Sequence, residues 1–242
     1  MGAVDTDSPV RVEPLPARSA PGYQGIVDHL RREFILGRLR PGDRLPSERA
    51  LAEHLGVARE TLRQAFRVLE GSGQIVITRG ARGGAIVQAS IVDPQRIRAD
   101  VATLSASIIP LTEYRSIVEG AAASLAAGRR TELDLAELTA AQADLQSSET
   151  LDDSRHADTR FHLAIAAAAG NPILSAAIED ARVQMFTTVD LLSFPFVKES
   201  SYSAHGAVLD AIRAGDTAGA AAAMHAHLEV TREEFRRLFE ER

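Results

Sequence analysis

Four residues far apart in the chain have types and spacings that suit metal chemistry. Asp158 and His162 stand four apart in ADTRFHLAIAAAAGN, the spacing that puts two side chains on one face of a helix. His205 lies in SAHGAVLDAIRAGD and His227 in AAAMHAHLEV. One carboxylate and three imidazoles from three helices make a donor set for a divalent transition metal, provided the fold brings them together. Three nitrogens with one oxygen suit Zn, Ni, Mn, Fe or Co. Each histidine alone also has an ordinary reading, as a surface residue or a hydrogen-bonded core residue. His29, His54, His156 and His225 show that the chain uses histidine elsewhere. His225 and His227 diverge by about 200° on a helix and cannot both face one ion. Such a metal could activate water, which would make an enzyme. No general base is evident beyond Asp158, which the ion would occupy.

A second chemistry is written in LPSERALAEHLGVARETLRQAFRVLEGSG, residues 45–73. Arg59 and Arg63 are i, i+4 and share a helix face away from Leu62 and Phe66. Thr61 lies near the same end. Arginine at the N-terminal end of a helix can hold guanine O6 and N7 with two hydrogen bonds in the major groove. Arg49, at the start of the preceding helix, is placed to grip a phosphate. Beyond Gly73 the pattern alternates, and Arg79 and Arg82 stand among glycines between two short apolar runs. That reads as a β-hairpin whose tip can reach a minor groove. Arginines on one helix face are more often a solvated surface. The order of elements, ending in a glycine-arginine hairpin, favours binding to double-stranded DNA.

These residues need elements to position them. Ile26, Leu30, Phe34 and Ile35 mark one face of a first helix that should stop near Gly37. Arg40-Pro41-Gly42-Asp43 is a turn. Ser47 is placed as an N-cap with Glu48 in the first turn. Leu51, Ala52 and Leu55 form the buried stripe of a second helix, and Gly56 ends it. A third helix over 58–71 buries Leu62, Ala65, Phe66 and Leu69, completing a helix-turn-helix. From residue 94 onward the pattern is helical, with helices expected at 94–107, 111–128, 131–148, 151–169, 172–192, 197–214 and 216–240. Pro110, Gly128, Gly170-Asn171-Pro172, Pro195 and Gly215-Asp216 serve as breaks. Short connections imply an antiparallel bundle.

Composition agrees with a mainly α protein of two domains. The 242 residues are 45% hydrophobic and 25% charged, within the ordinary range for a globular chain. Residues 1–90 carry 13 Arg and no Lys against 10 acidic residues, a balance of +3. The remainder carries 14 basic and 23 acidic residues, a balance of −9. A basic first part points to a polyanionic partner. The absence of cysteine removes disulfides and thiol chemistry, and suits a reducing cytoplasm. No apolar run is long enough to cross a membrane. The expected organisation is a flexible tail over 1–20, a winged helix-turn-helix domain over 21–90 and an all-helical domain over 91–242.

The residues Pro41-Gly42-Asp43-Arg44-Leu45-Pro46-Ser47-Glu48-Arg49, Leu51-Ala52, Leu55-Gly56-Val57, Arg59, Leu62-Arg63, Ala65, Leu69-Glu70 and Gly73 resemble the winged helix-turn-helix of GntR-type bacterial transcription regulators. By position, the resemblance implies DNA contacts at Arg49, Arg59, Thr61 and Arg63, with Arg79-Gly80 at the wing. Two departures stand out. The family usually has Ser or Thr where Ala58 stands, so this helix lacks a side-chain cap worth about 0.5–2 kcal/mol. Glu60 stands where a small or polar residue is common, and it would repel phosphate.

The C-terminal part is similar to the FCD effector domain of FadR-like members. The matching residues are Tyr114-Arg115 with Val118-Glu119, Asp158-x-x-Phe161-His162, Gly170-Asn171, His205 with Leu209-x-Ala211-Ile212 and Gly215-Asp216, and Met224-x-x-His227-Leu228. The resemblance implies a metal on Asp158, His162, His205 and His227, leaving His225 out. It also implies a small organic acid as effector, with Arg115 and Asn171 as candidate contacts. Arg115 has another reading, as an i, i+4 surface ion pair with Glu119. Asn171 has another as a turn or cap residue before Pro172. The family implies a homodimer on a palindromic operator, acting in most relatives as a repressor released by its ligand.

Overall fold

A computed structural model describes residues 9–15, 22–78, 84–88, 101–186 and 194–240. The chain divides into two units, Met1–Ile91 and Val92–Arg242. Among the described residues there are nine helices and one two-stranded sheet.

In the first unit, α1 spans Tyr23–Ile35, α2 Glu48–His54 and α3 Arg59–Gly71. Ile26 and Leu30 are buried as the periodicity requires, while Phe34 and Ile35 are half-buried. Ser47 caps α2, its Oγ accepting from the Ala50 N–H at 3.3 Å. Gly56 takes φ +67° at the corner between α2 and α3, a conformation that favours glycine. Ala58 is the N-cap of α3 and supplies no side-chain bond. Leu62, Ala65, Phe66 and Leu69 are the buried face of α3, and each large apolar side chain there contributes roughly 1.5–3 kcal/mol by leaving water. Strands β1 (Ile75–Thr78) and β2 (Gly84–Val87) pair antiparallel, with Ile75 opposite Val87 and Thr78 opposite Gly84. The wing tip lies outside the described residues.

Part of the expected flexible tail is packed. The Val10 N–H donates to the Arg44 carbonyl at 2.9 Å. Val12 is buried in the core of this unit. His29 Nε2 lies 2.7 Å from the Glu13 carbonyl oxygen. Arg44 in turn bridges Ile86 of β2, so residues 9–15 extend the layer built on the wing. The proline and charge content of the segment hid two valines able to fill a groove.

Every element described in the second unit is a helix: α4 Val101–Arg129, α5 Glu132–Ser147, α6 Leu151–Ala168, α7 Pro172–Phe186, α8 Phe194–Ala214 and α9 Thr217–Glu240. Helix α9 packs chiefly on α4 and α8, and α5 packs on α6 and α8. The core is rich in alanine, including Ala122, Ala126, Ala141, Ala166 and Ala220, around Phe161, Ile178, Val208 and Leu228. Small side chains let helix axes approach closely.

Two of the expected breaks are not breaks. Helix α4 runs through Pro110, where two helices were expected. An interior proline costs about 3 kcal/mol or more. Here its ring faces solvent, while Ile108, Thr112 and Arg115 on either side are fully buried and hold the helix in place. Pro195 falls in the first turn of α8, where its missing N–H has no intrahelical partner to lose. The expected helical residues 94–100 and 187–192 lie outside the described residues.

Candidate functional site

The second unit brings the four candidate ligands together. Asp158 and His162 come from α6, His205 from α8 and His227 from α9, and one ligand atom from each lies within 4.8 Å of all the others. His162 Nε2 is 3.3 Å from both His205 Nε2 and His227 Nε2. Asp158 Oδ1 is 3.4 Å from His205 Nε2 and 3.9 Å from His162 Nε2. Two nitrogens at zinc-like bond lengths and a tetrahedral angle stand about 3.3–3.4 Å apart, so the donor spacing fits a small divalent ion. The ring of Phe161 stacks on His205 at 4.1 Å and fixes its plane.

Electrostatics agree with that fit. Burial pushes His162, His205 and His227 below the usual imidazole range, His227 to about 3, so all three are neutral near pH 7. Neutral imidazole is the form that binds metal. Burial alone would raise Asp158, but Arg182 and the three histidines hold it well below the usual carboxylate range. Glu119 is held low in the same way by Arg115, His162 and Arg182 against its burial.

Around the four donors stands a buried frame of charge. Arg115 Nε donates to Glu119 Oε1 at 2.5 Å, and Arg115 Nη1 points to the Met185 sulfur. The other Glu119 oxygen meets His162 Nδ1. Arg182 of α7 pairs with Asp158 and donates to Thr159 Oγ1 at 3.1 Å. The expected Arg115–Glu119 pair therefore exists, but it is buried rather than on the surface. Asn171 serves as a cap for α7, its Oδ1 accepting from the Ile173 and Leu174 N–H groups at 3.0 and 3.3 Å. His225 faces away from the cluster, its Nδ1 2.7 Å from Ser116 Oγ.

The sequence reading missed Arg182 as a partner of Asp158 and Glu119 as a partner of His162. A signal was present for Arg182. It shares the face of Ile178, Ala181 and Met185, all buried, and an arginine inside an apolar stripe requires a buried carboxylate.

The first unit presents α3 outward. Arg59 and Arg63 are exposed opposite the buried Leu62, Ala65, Phe66 and Leu69, and Thr61 is half-buried. Arg63 Nε donates to Glu48 Oε2 at 3.0 Å and Arg63 Nη1 lies 3.6 Å from Glu60. Arg49 lies 3.5 Å from Glu53. Arg79, Gly80 and Arg82 lie outside the described residues.

Residues 22–87 match the family described as bacterial regulatory proteins, gntR family, and residues 111–230 match the FCD domain. The chain is 32% identical over 213 residues to the HTH-type transcriptional regulator LutR of Bacillus subtilis (strain 168), covering 85% of this chain and 97% of LutR. The chain belongs to the GntR family. It is thus a DNA-binding transcription regulator, and its relatives are regulators rather than enzymes. It is 33% identical over 237 residues to an Escherichia coli (strain K12) protein provisionally named the L-lactate dehydrogenase operon regulatory protein, covering 89% of this chain and 87% of that one. It is 31% identical over 170 residues to the Glc operon transcriptional activator of the same strain, covering 68% and 67%. In fold it resembles E. coli McbR/YncC, with a TM-score of 0.52 at 22% identity, covering 90% of this chain and 99% of that one. No helix among the described residues is long and apolar enough to cross a membrane.

Proposed function

We propose that this GntR regulator binds a palindromic operator as a homodimer and represses until a small organic acid reaches a metal in its second unit. The convergence of Asp158, His162, His205 and His227 carries this reading. These four residues would hold a divalent ion of the Zn, Ni, Mn, Fe or Co kind, and the ion would supply a Lewis-acidic point for a carboxylate. Asp158, Glu119, Arg115 and Arg182 balance one another in charge, so a divalent ion leaves an excess of two positive charges that an anion relieves.

Arg115 and Asn171 were the expected effector contacts. Both side chains already have partners, Arg115 in Glu119 and Met185 and Asn171 in the cap of α7. Arg182 is also partnered, by Asp158 and Thr159, but it stands beside Asp158, the most exposed of the four ligands, where an entering carboxylate would meet it. The operon named for one relative concerns L-lactate dehydrogenase, in keeping with a small acid, and another relative is named an activator. On the DNA side, Arg59, Thr61 and Arg63 would enter the major groove, with Arg49 on phosphate and Arg79, Gly80 and Arg82 at the wing.

The test uses the full chain loaded with metal and a DNA site selected from a random library. A panel of 2-hydroxy and dicarboxylic acids should include one that weakens the gel shift. His205→Ala should lose both the metal, by elemental analysis, and the acid response. A metal-loaded protein whose operator affinity no acid moves would overturn the effector role, and full metal content in His205→Ala would overturn the site.

A further inference from the structure

We propose that Glu119, oriented by Arg115, is a positioning residue that presents the Nε2 lone pair of His162 to the metal. This rests on the metal reading above and concerns residues that hold no metal themselves.

A neutral imidazole carries one N–H, and whichever nitrogen lacks it can ligate. His162 Nε2 faces the Nε2 atoms of His205 and His227 at 3.3 Å. His162 Nδ1 lies in ion-pair contact with Glu119 Oε2, and neither atom has a hydrogen-bond partner among the described residues. An ionised carboxylate only accepts, so it draws the proton to Nδ1 and leaves Nε2 bare toward the cluster. Metal-bound histidines commonly have such an outer carboxylate, which fixes tautomer and ring orientation.

Glu119 cannot swing away. Its other oxygen takes the Arg115 Nε–H at 2.5 Å, one turn earlier on α4, and both side chains are 2% exposed or less. Each carboxylate oxygen therefore has a separate task. The chain Met185, Arg115, Glu119, His162 links α7, α4 and α6 to one ligand atom. His205 is held differently, by the Phe161 ring, and its buried Nδ1 has no hydrogen-bond partner among the described residues. His162 is thus the ligand whose chemistry depends on a carboxylate. This assigns Arg115 an indirect role, acting on the metal through two other side chains.

The experiment measures zinc affinity of the full chain by competition with a chromophoric chelator, in wild type, Glu119→Gln and the double variant Arg115→Met/Glu119→Gln. The double variant leaves no buried unpaired charge, so it remains informative if the single one folds poorly. Both should bind zinc about 10–100-fold more weakly. Nitrogen NMR of the metal-free wild type should show His162 protonated at Nδ1, a signature that a merely structural ion pair would not set. Wild-type zinc affinity in a folded variant, or a proton on Nε2 in the wild type, would overturn the proposal. Failure of the wild type itself to bind zinc would instead remove the metal reading, and the tautomer would still report on Glu119 separately.

Discussion

Both units pair arginine with carboxylate, and they put the pair to opposite uses. On α2 and α3 of the DNA-reading unit the pairs lie in water: Arg49–Glu53 has side chains 75% and 76% exposed, and Arg63–Glu48 46% and 32%. In the helical unit Arg115–Glu119 is 2% and 1% exposed, and Arg182–Asp158 0% and 16%. Exposed pairs are worth roughly 0–1 kcal/mol and exchange freely. An arginine held that weakly can leave a glutamate for a phosphate or a guanine. A buried pair is fixed, because either partner alone would be a charge without solvent. The same two residue types therefore make a replaceable contact on α2 and α3 and a rigid frame around the four candidate ligands.

The largest expected effect breaks that frame. Arg182→Leu leaves Asp158 beside the three histidines without its guanidinium, and should destabilise the metal-free helical unit by about 3–5 kcal/mol in urea unfolding. Glu53→Ala, which opens the exposed pair with Arg49, should change the stability of the first unit by less than about 0.5 kcal/mol. Similar losses in the two variants would erase the contrast between the units.

An effect of similar size is expected from acid on the metal-stripped protein. The folded-state pKa values of His162, His205 and His227 are lowered, so the unfolded chain takes up protons first as pH falls. Stability is then complete above about pH 6.5 and declines as pH drops toward the folded value, about 3 for His227. One such histidine removes about 2 kcal/mol between pH 6.5 and 5. Glu119 and Asp158, also lowered, add a second loss below about pH 4, in the same direction. Calorimetry between pH 7 and 5 reads the first window. A midpoint for the helical unit that stays flat there would mean the histidines are not buried neutral.

The same contrast explains what was legible beforehand. Leu62, Ala65, Phe66 and Leu69 repeat at helical spacing and are all buried on α3, because local periodicity decides which face of a short helix turns inward. The ligands could be named from spacing and resemblance, since Asp158 and His162 share a turn and the other two sit on long apolar helices. The frame behind them was harder. Glu119 and Arg182 meet their partners across 43 and 24 residues of chain, and long-range pairing leaves no local pattern. Pro110 misled for a related reason: a local rule about proline was outweighed by the buried Ile108 and Thr112 beside it. Val10 and Val12 misled in the opposite direction, as a polar-looking segment that tertiary packing put to use.

On the DNA-reading unit the expected effects are smaller and electrostatic. Arg63→Ala should weaken binding to the selected operator by about 1–3 kcal/mol with the fold unchanged, by gel shift against circular dichroism; unaltered affinity would take Arg63 off the reading face.

The smallest effect sharpens the comparison most. Glu60 is 70% exposed and lies 3.6 Å from Arg63 and 3.7 Å from Arg67, so it tethers two arginines on the outward face of α3. Because these pairs are in water, Glu60→Gln should cost the fold almost nothing. It removes a negative charge that would face phosphate and releases Arg67 from this contact, while Arg63 keeps its pair with Glu48. Binding to non-specific DNA should tighten by up to about 1 kcal/mol at low salt, with a steeper salt dependence of roughly one extra phosphate contact. The gain should vanish as salt rises, which no buried pair would show. If Glu60→Gln instead relaxed the operator at one base position and left non-specific binding alone, the carboxylate would be reading a cytosine amino group, and the exposed pairs would belong to recognition rather than restraint.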